Sequence, residues 1–132
     1  MVQEKVYLKH LIGSKVFLDS VSPFCNHGVV FEDDGDVGYF YALDIAGTEQ
    51  QIRDTLHIYD VQFKGNQNRL VLIQIVWSPD GLKAGLLMDG QYQAVFDFVS
   101  RRGYGRSRFS PNTGEWSKDG HGWDERVADF FE

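Results

Sequence analysis

Between Leu70 and Val99 the sequence leaves the backbone little choice, because three β-forming runs are separated by two tight-turn signatures. Leu70 to Trp77 is apolar on both faces except at Gln74, the pattern of a strand covered on two sides. Ser78-Pro79-Asp80-Gly81 follows, with a proline whose fixed φ suits a turn and a glycine free to take a left-handed conformation. The next run sets Leu82, Ala84, Leu86 and Met88 on one face and ends at Asp89-Gly90, a pair favoured in two-residue hairpins because both positions tolerate positive φ. Tyr92, Ala94, Phe96 and Phe98 then alternate with Gln93, Val95, Asp97 and Val99, giving a third strand with an aromatic face. Short turns force neighbouring strands to pair antiparallel, so the segment is expected to be a meander. Val71, Ile73, Ile75, Leu86, Phe96 and Phe98 should share one core.

The flanks extend this pattern. Val29-Val30-Phe31 and Val37 to Leu43 bracket the acidic turn Glu32-Asp33-Asp34-Gly35-Asp36, a second hairpin, and Lys15 to Leu18 reads as a short strand before it. Gln51 to Val61 fits helix through Ile52, Leu56 and Tyr59, and strand through Leu56 and Ile58; strand is the preferred reading. Gly103 to Gly120, with four glycines and Pro111, reads as a turn-rich loop with room for a short edge strand. At the C-terminus Trp123, Val127, Phe130 and Phe131 recur at helical spacing, with Asp124 and Glu125 in the first turn where the helix dipole favours negative charge. So brief a helix has to dock its apolar stripe on the sheet. The expected fold class is α+β, mostly β: an antiparallel meander sheet with a short C-terminal helix, in a single domain over residues 1–132.

Composition narrows the setting. A chain of 132 residues can hold a core without staples, and its lone cysteine, Cys25, cannot form an intrachain disulfide. There is no signal-peptide pattern and no run of about 20 apolar residues, so a cytoplasmic protein that does not enter membranes is expected. A formal charge of −6 argues against a general nucleic-acid role, since a phosphate backbone needs an excess of Lys and Arg facing it. The charge is uneven: Phe31 to Asp60 holds eight acids against Arg53 alone, whereas four of the seven arginines fall between Arg101 and Arg108.

The runs Phe31 to Tyr41 (FEDDGDVGYFY), Leu56 to Val61 (LHIYDV), Trp77 to Ala84 (WSPDGLKA), Ala94 to Phe98 (AVFDF) and Arg102-Gly103-Tyr104 together resemble a family of small bacterial proteins, domain-of-unknown-function family 2251. The resemblance spans most of the chain. It implies a compact bacterial cytoplasmic domain and transfers no catalytic residue. Members of that family often have cysteine where this chain has Gly105, which argues against a shared thiol chemistry.

Candidate chemistry can be weighed motif by motif. Glu32, Asp33, Asp34 and Asp36 look like half a calcium loop, but the loop is short of the spacing and closing glutamate that an EF-hand needs, and a solvated hairpin turn explains them. They are equally the natural acidic surface for a partner. Cys25 and His27 with His57 and His121 could compose a tetrahedral zinc set, yet nothing in the spacing demands it, and no metal site or cofactor is expected. Ser78, Ser110 and Cys25 lack a nucleophile elbow, and no phosphate-cradling glycine loop is present. The distinctive stretch is Arg101-Arg102-Gly103-Tyr104-Gly105-Arg106-Ser107-Arg108-Phe109. Guanidinium forks grip phosphate or carboxylate, and Tyr104, Phe109 and the nearby Trp116 could stack on a ligand. Its competing reading is internal pairing with the acids of Phe31 to Asp60.

These features point away from catalysis and toward a binding or interaction protein with an unidentified protein partner. The acidic charge would suit neutralising a basic protein, as an immunity protein does a toxin. The alternative is a small enzyme, or a small-ligand or RNA binder, that uses Arg101, Arg102, Tyr104, Arg106, Arg108 and Trp116.

Overall fold

The structure is a computed structural model that describes residues 5–24, 26–44, 51–63, 65–66, 68–106, 113–114, 123 and 125–131. Among the described residues ten strands form two antiparallel five-stranded sheets. The first has the order β1-β6-β7-β8-β9, from β1 (Lys5–Leu11), β6 (Leu70–Trp77), β7 (Lys83–Met88), β8 (Gln91–Asp97) and β9 (Arg102–Gly105). The second runs β10-β5-β4-β3-β2, from β10 (Thr113–Gly114), β5 (Gln51–Asp60), β4 (Val37–Asp44), β3 (His27–Asp33) and β2 (Val16–Val21). The sheet expected from Leu70 to Val99 is therefore a real meander, β6-β7-β8, continued by β9 and flanked by β1. It is one of two sheets rather than the whole architecture.

The turns explain the pairing. Asp89 and Gly90 both have positive φ, 50° and 84°, so the β7–β8 hairpin closes on two residues. Asp89 Oδ1 also accepts the Leu72 N–H at 2.9 Å, fastening this hairpin to β6. In the preceding turn the Gly81 N–H donates to the Ser78 carbonyl at 2.9 Å, with φ of 72° at Gly81. The Ser78 hydroxyl donates to Asp80 at 2.6 Å and accepts the Lys83 N–H, so this serine belongs to the turn. Gln51–Asp60 is strand, paired along β4 with register shifts between Gly38 and Tyr39 and between Ala42 and Leu43.

The inner faces of both sheets supply one core that contains Val71, Ile73, Ile75, Leu86, Phe96 and Phe98 with Val29, Phe31, Phe40 and Leu56. Phe40 stacks on Phe96 across the sheets at 5.1 Å. The buried Trp77 indole donates to the Ser20 hydroxyl at 2.9 Å, so its polar atom is satisfied by the opposite sheet.

Part of the outer face of the first sheet is also covered. A 3₁₀ helix, Glu125–Phe131, buries Val127 and Phe131 against Val76 and Val95, with Leu87, Tyr92, Tyr104, Trp123 and Phe130 around them. This accounts for the second apolar face of Leu70–Trp77 at Val76 alone; Leu70 stays exposed, beside Leu11 of β1 and on the same outer face as Tyr7. The face assigned to Tyr92 is corrected: pairing shifts between Leu86↔Ala94 and Leu87↔Tyr92, leaving Gln93 as an extra residue. That bulge turns Tyr92 away from Ala94 and Phe96 and stacks it on Phe131 at 5.0 Å. Gly85 lies beneath, where a Cβ would stand 2.8 Å from the Tyr92 ring and 2.9 Å from the Phe131 ring.

Candidate functional site

The acidic turn divides its residues. Asp33 is 1% exposed, which corrects its placement on an acidic partner surface with Glu32, Asp34 and Asp36. The Tyr59 hydroxyl donates to Asp33 Oδ2 at 2.7 Å, and His10 Nε2 lies 2.9 Å from the same oxygen. The Gly13 and Gly35 N–H groups donate to the two carboxylate oxygens at 2.8 Å each. Burial alone would raise the Asp33 pKa, but hydrogen bonds from Tyr59, Gly13, Gly35 and His10 outweigh it and hold the carboxyl below its ordinary value. Tyr59 is pushed up, by burial first and then by Asp33. The knot ties β1 and the turn after it to β3, β5 and the β3–β4 turn, secluded from solvent. Asp34 accepts the N–H groups of Asp36 and Val37 at 2.9 Å each and so closes the turn, leaving its side chain and that of Asp36 exposed.

Outward-facing residues of the second sheet form a grid set by its register. One row is Phe17, Glu32, Tyr39 and His57; the next is Asp19, Val30, Tyr41 and Thr55; the third is Val21, Gly28, Leu43 and Ile52. The twisted sheet makes most of this grid a shallow groove of about 490 Å³. Phe17 is 69% exposed, Ile52 56% and Val21 48%. Carboxylates border these apolar groups. The Tyr41 hydroxyl donates to Glu32 Oε1 at 2.7 Å, and burial, then Glu32, raises the Tyr41 pKa. Tyr39 stacks beside Tyr41 at 5.9 Å; its pKa is raised by burial first, then by Asp34, Glu32, Asp60 and Asp36. Four carboxylates thus place a negative field over an aromatic pair, an arrangement that favours cations over the ring faces.

The arginine stretch is drawn into the other side of the molecule. Arg106 donates to the Tyr92 carbonyl, lies 4.1 Å over the Trp123 ring and pairs with Glu125 at 3.3 Å. Arg102 lies 4.9 Å from the Tyr104 ring centre, and Arg101 is exposed at the preceding turn. Arg106 therefore finds its acid on the C-terminal helix, not among Phe31 to Asp60. Arg108, Phe109, Ser110 and Trp116 lie outside the described residues. So do Cys25 and His121 of the zinc set. Its other two members face opposite ways: His27 stacks on Phe98 of the first sheet at 4.4 Å, with its pKa lowered by burial against a weaker opposing pull from Asp44, whereas His57 faces outward beside Tyr39 and 3.1 Å from Asp60. Among the described residues no group of three or more His, Cys, Asp or Glu could hold a metal ion. Among them, too, no helix is long and apolar enough to cross a membrane.

Sequence reasoning missed Phe17, Tyr39, Tyr41 and Ile52 as one surface. The alternation of Tyr39, Tyr41 and Leu43 was the available signal, but the register shifts in β4–β5 conceal which β5 residues join them.

The family described as uncharacterized proteins conserved in bacteria (DUF2251) matches residues 10–132. The chain belongs to this family. It is also similar to an uncharacterized protein of Haemophilus influenzae (strain ATCC 51907 / DSM 11121 / KW20 / Rd), 42% identical over 86 residues that cover 65% of this chain and 53% of the relative. The chain thus spans about half the length of that curated relative. No solved structure matches.

Proposed function

We propose that this DUF2251 member is a binding protein whose open sheet face takes a basic protein partner, with neutralisation of that partner, as in a toxin–immunity pair, as the biological form. The observation that carries the reading is the groove on the second sheet, where exposed Phe17, Val21 and Ile52 sit among Asp19, Glu32 and the carboxylates surrounding Tyr39. Apolar groups supply the contact area, and the acids select and steer a cation-rich partner. A chain of net charge −6 adds a long-range attraction of the same sign.

The test is titration with poly-L-lysine at low and raised salt, using two charge reversals of equal size. Asp19→Lys lies in the groove and Asp129→Lys on the covered side. The first should weaken binding about tenfold while the second changes it little. Equal losses from both variants, or no binding at all, would overturn the proposed face. The immunity form is tested with a basic protein encoded beside the gene, whose activity should be titrated away at one-to-one stoichiometry.

A further inference from the structure

Among the described residues the two sheets end in four edges, β1 and β9 in the first, β10 and β2 in the second. Exposed edges offer unpaired N–H and C=O groups to any extended chain, and proteins usually guard them with lysines, proline, bulges or shortness. β10 has two residues, and β9 has four with Arg101 and Arg102 at its start. β1 carries the exposed Lys9, which repels a basic segment. On β2 the one such device is the negative charge of Asp19, which does not repel a basic segment. The strand's six residues, Val16-Phe17-Leu18-Asp19-Ser20-Val21, contain no lysine, arginine or proline, and they pair with β3 without a register shift from Val16↔Asp33 to Val21↔Gly28. Its outward residues Phe17, Asp19 and Val21 are the border of the groove.

Resting on the binding reading above, we infer that the partner docks by strand addition: an extended basic segment pairs with β2 as a sixth strand of the second sheet. On an added strand every second side chain stands beside one of Phe17, Asp19 and Val21. The matching pattern is apolar–x–basic–x–apolar, because opposite charges and apolar pairs across neighbouring strands are favourable. That pattern reads the same in both directions, so side-chain matching permits either parallel or antiparallel addition. Backbone hydrogen bonds would supply the docking geometry, and Asp19 at the centre of the edge would select the cation.

The experiment uses the full chain and a capped peptide, Ser-Thr-Val-Thr-Lys-Thr-Val-Thr-Ser. A version N-methylated along its length keeps the charge and side chains but donates no backbone hydrogen bond. The parent peptide should slow hydrogen exchange at β2 amides and bind at least tenfold more tightly than the methylated one. Equal binding of both peptides, without protection in β2, would overturn strand addition and leave the open face as the binding site. Failure of both peptides and of poly-L-lysine would overturn the binding reading itself. Sedimentation that shows self-association, with β2 amides already protected in the chain alone, would make a second copy the occupant and sink the basic segment.

Discussion

The two sheets turn comparable outer faces in different directions. On the first, the 3₁₀ helix lays Val127 and Phe131 over Val76 and Val95, and Gly85 is hemmed in by the Tyr92 and Phe131 rings. On the second, Phe17, Val21 and Ile52 stay exposed beside the carboxylates of Asp19 and Glu32. Apolar exposure that a chain covers with its own residues contributes to folding, whereas exposure it leaves bordered by charge is available for association. In the proposed reading the helix-covered part of the first face serves stability and the acid-bordered face of the second serves binding, while Tyr7, Leu11 and Leu70 stay exposed beyond the helix; the contrast can be broken by experiment.

Removing the cover should have the largest effect. Deleting residues 125–132 takes away two buried side chains, Val127 and Phe131, at roughly 1.5 to 3 kcal/mol each as an upper bound. Chemical denaturation should show most of that loss. Binding of a hydrophobic dye should rise as the first sheet comes to resemble the second. An unchanged midpoint would mean that the helix does not stabilise the face it covers.

Next comes a comparison inside one turn. Asp33→Ala leaves the Gly13 and Gly35 N–H groups without their acceptor and the Tyr59 hydroxyl and His10 with only each other, 3.0 Å apart, and should cost about 3 to 5 kcal/mol. Asp36→Ala, on the exposed side of the same turn, should stay within about 0.5 kcal/mol. Acid should erase the difference. Because the folded pKa of Asp33 is depressed, its contribution is fully present above the unfolded value of about 3.9 and is lost as pH falls through the folded value. The gap between the melting curves of the wild type and Asp33→Ala should therefore begin to narrow below about pH 4 and go on narrowing as pH falls through the lower, folded value. A gap that persists in acid would remove Asp33 ionisation as the source of the stability.

Why the sequence disclosed the meander but not this knot follows from how each is encoded. Turn chemistry and alternation are local, so Ser78 to Gly81, Asp89-Gly90 and the runs around them announce β6, β7 and β8. β1 is different: His10 occupies an inward position of Lys5–Leu11 and breaks the apolar alternation. Its partner Asp33 is 23 residues away and looks, within its own segment, like one more turn acid. The bulge at Gln93 is equally silent, since it depends on register with β7. The arginine stretch was legible as chemistry but not as geometry. Local charge pointed to the acids of Phe31 to Asp60, while Arg106 meets Trp123 and Glu125 through the docking of the C-terminal helix.

A smaller effect is expected from one added methyl on the covered face. Gly85→Ala places a Cβ under two stacked rings, and the rings must move, at a cost of about 1 to 3 kcal/mol. Pairing it with Phe131→Leu, which relaxes the stack, should give less than the sum of the two losses when measured as a double-mutant cycle. Strict additivity would show that the helix and Gly85 are not in contact.

The smallest effect on stability belongs to the open face, and it is the one on which the comparison depends. Phe17→Ser and Ile52→Ser truncate side chains already more than half in solvent, so little area returns to water on unfolding, and each should shift stability by no more than about 0.5 kcal/mol. Binding should respond in the opposite proportion, because exposed aromatic and aliphatic groups at the centre of a contact carry much of its energy. Titration of Phe17→Ser with the apolar–x–Lys–x–apolar peptide should lose about tenfold in affinity, or about 1.4 kcal/mol, with melting temperature preserved, whereas Ile52→Ser, on β5 and three strands from the β2 edge, should lose affinity for poly-L-lysine and not for the peptide. A fall in melting temperature comparable to that of the helix deletion would show that Phe17 and Ile52 serve the fold as Val127 and Phe131 do. The two faces would then differ in chemistry but not in role.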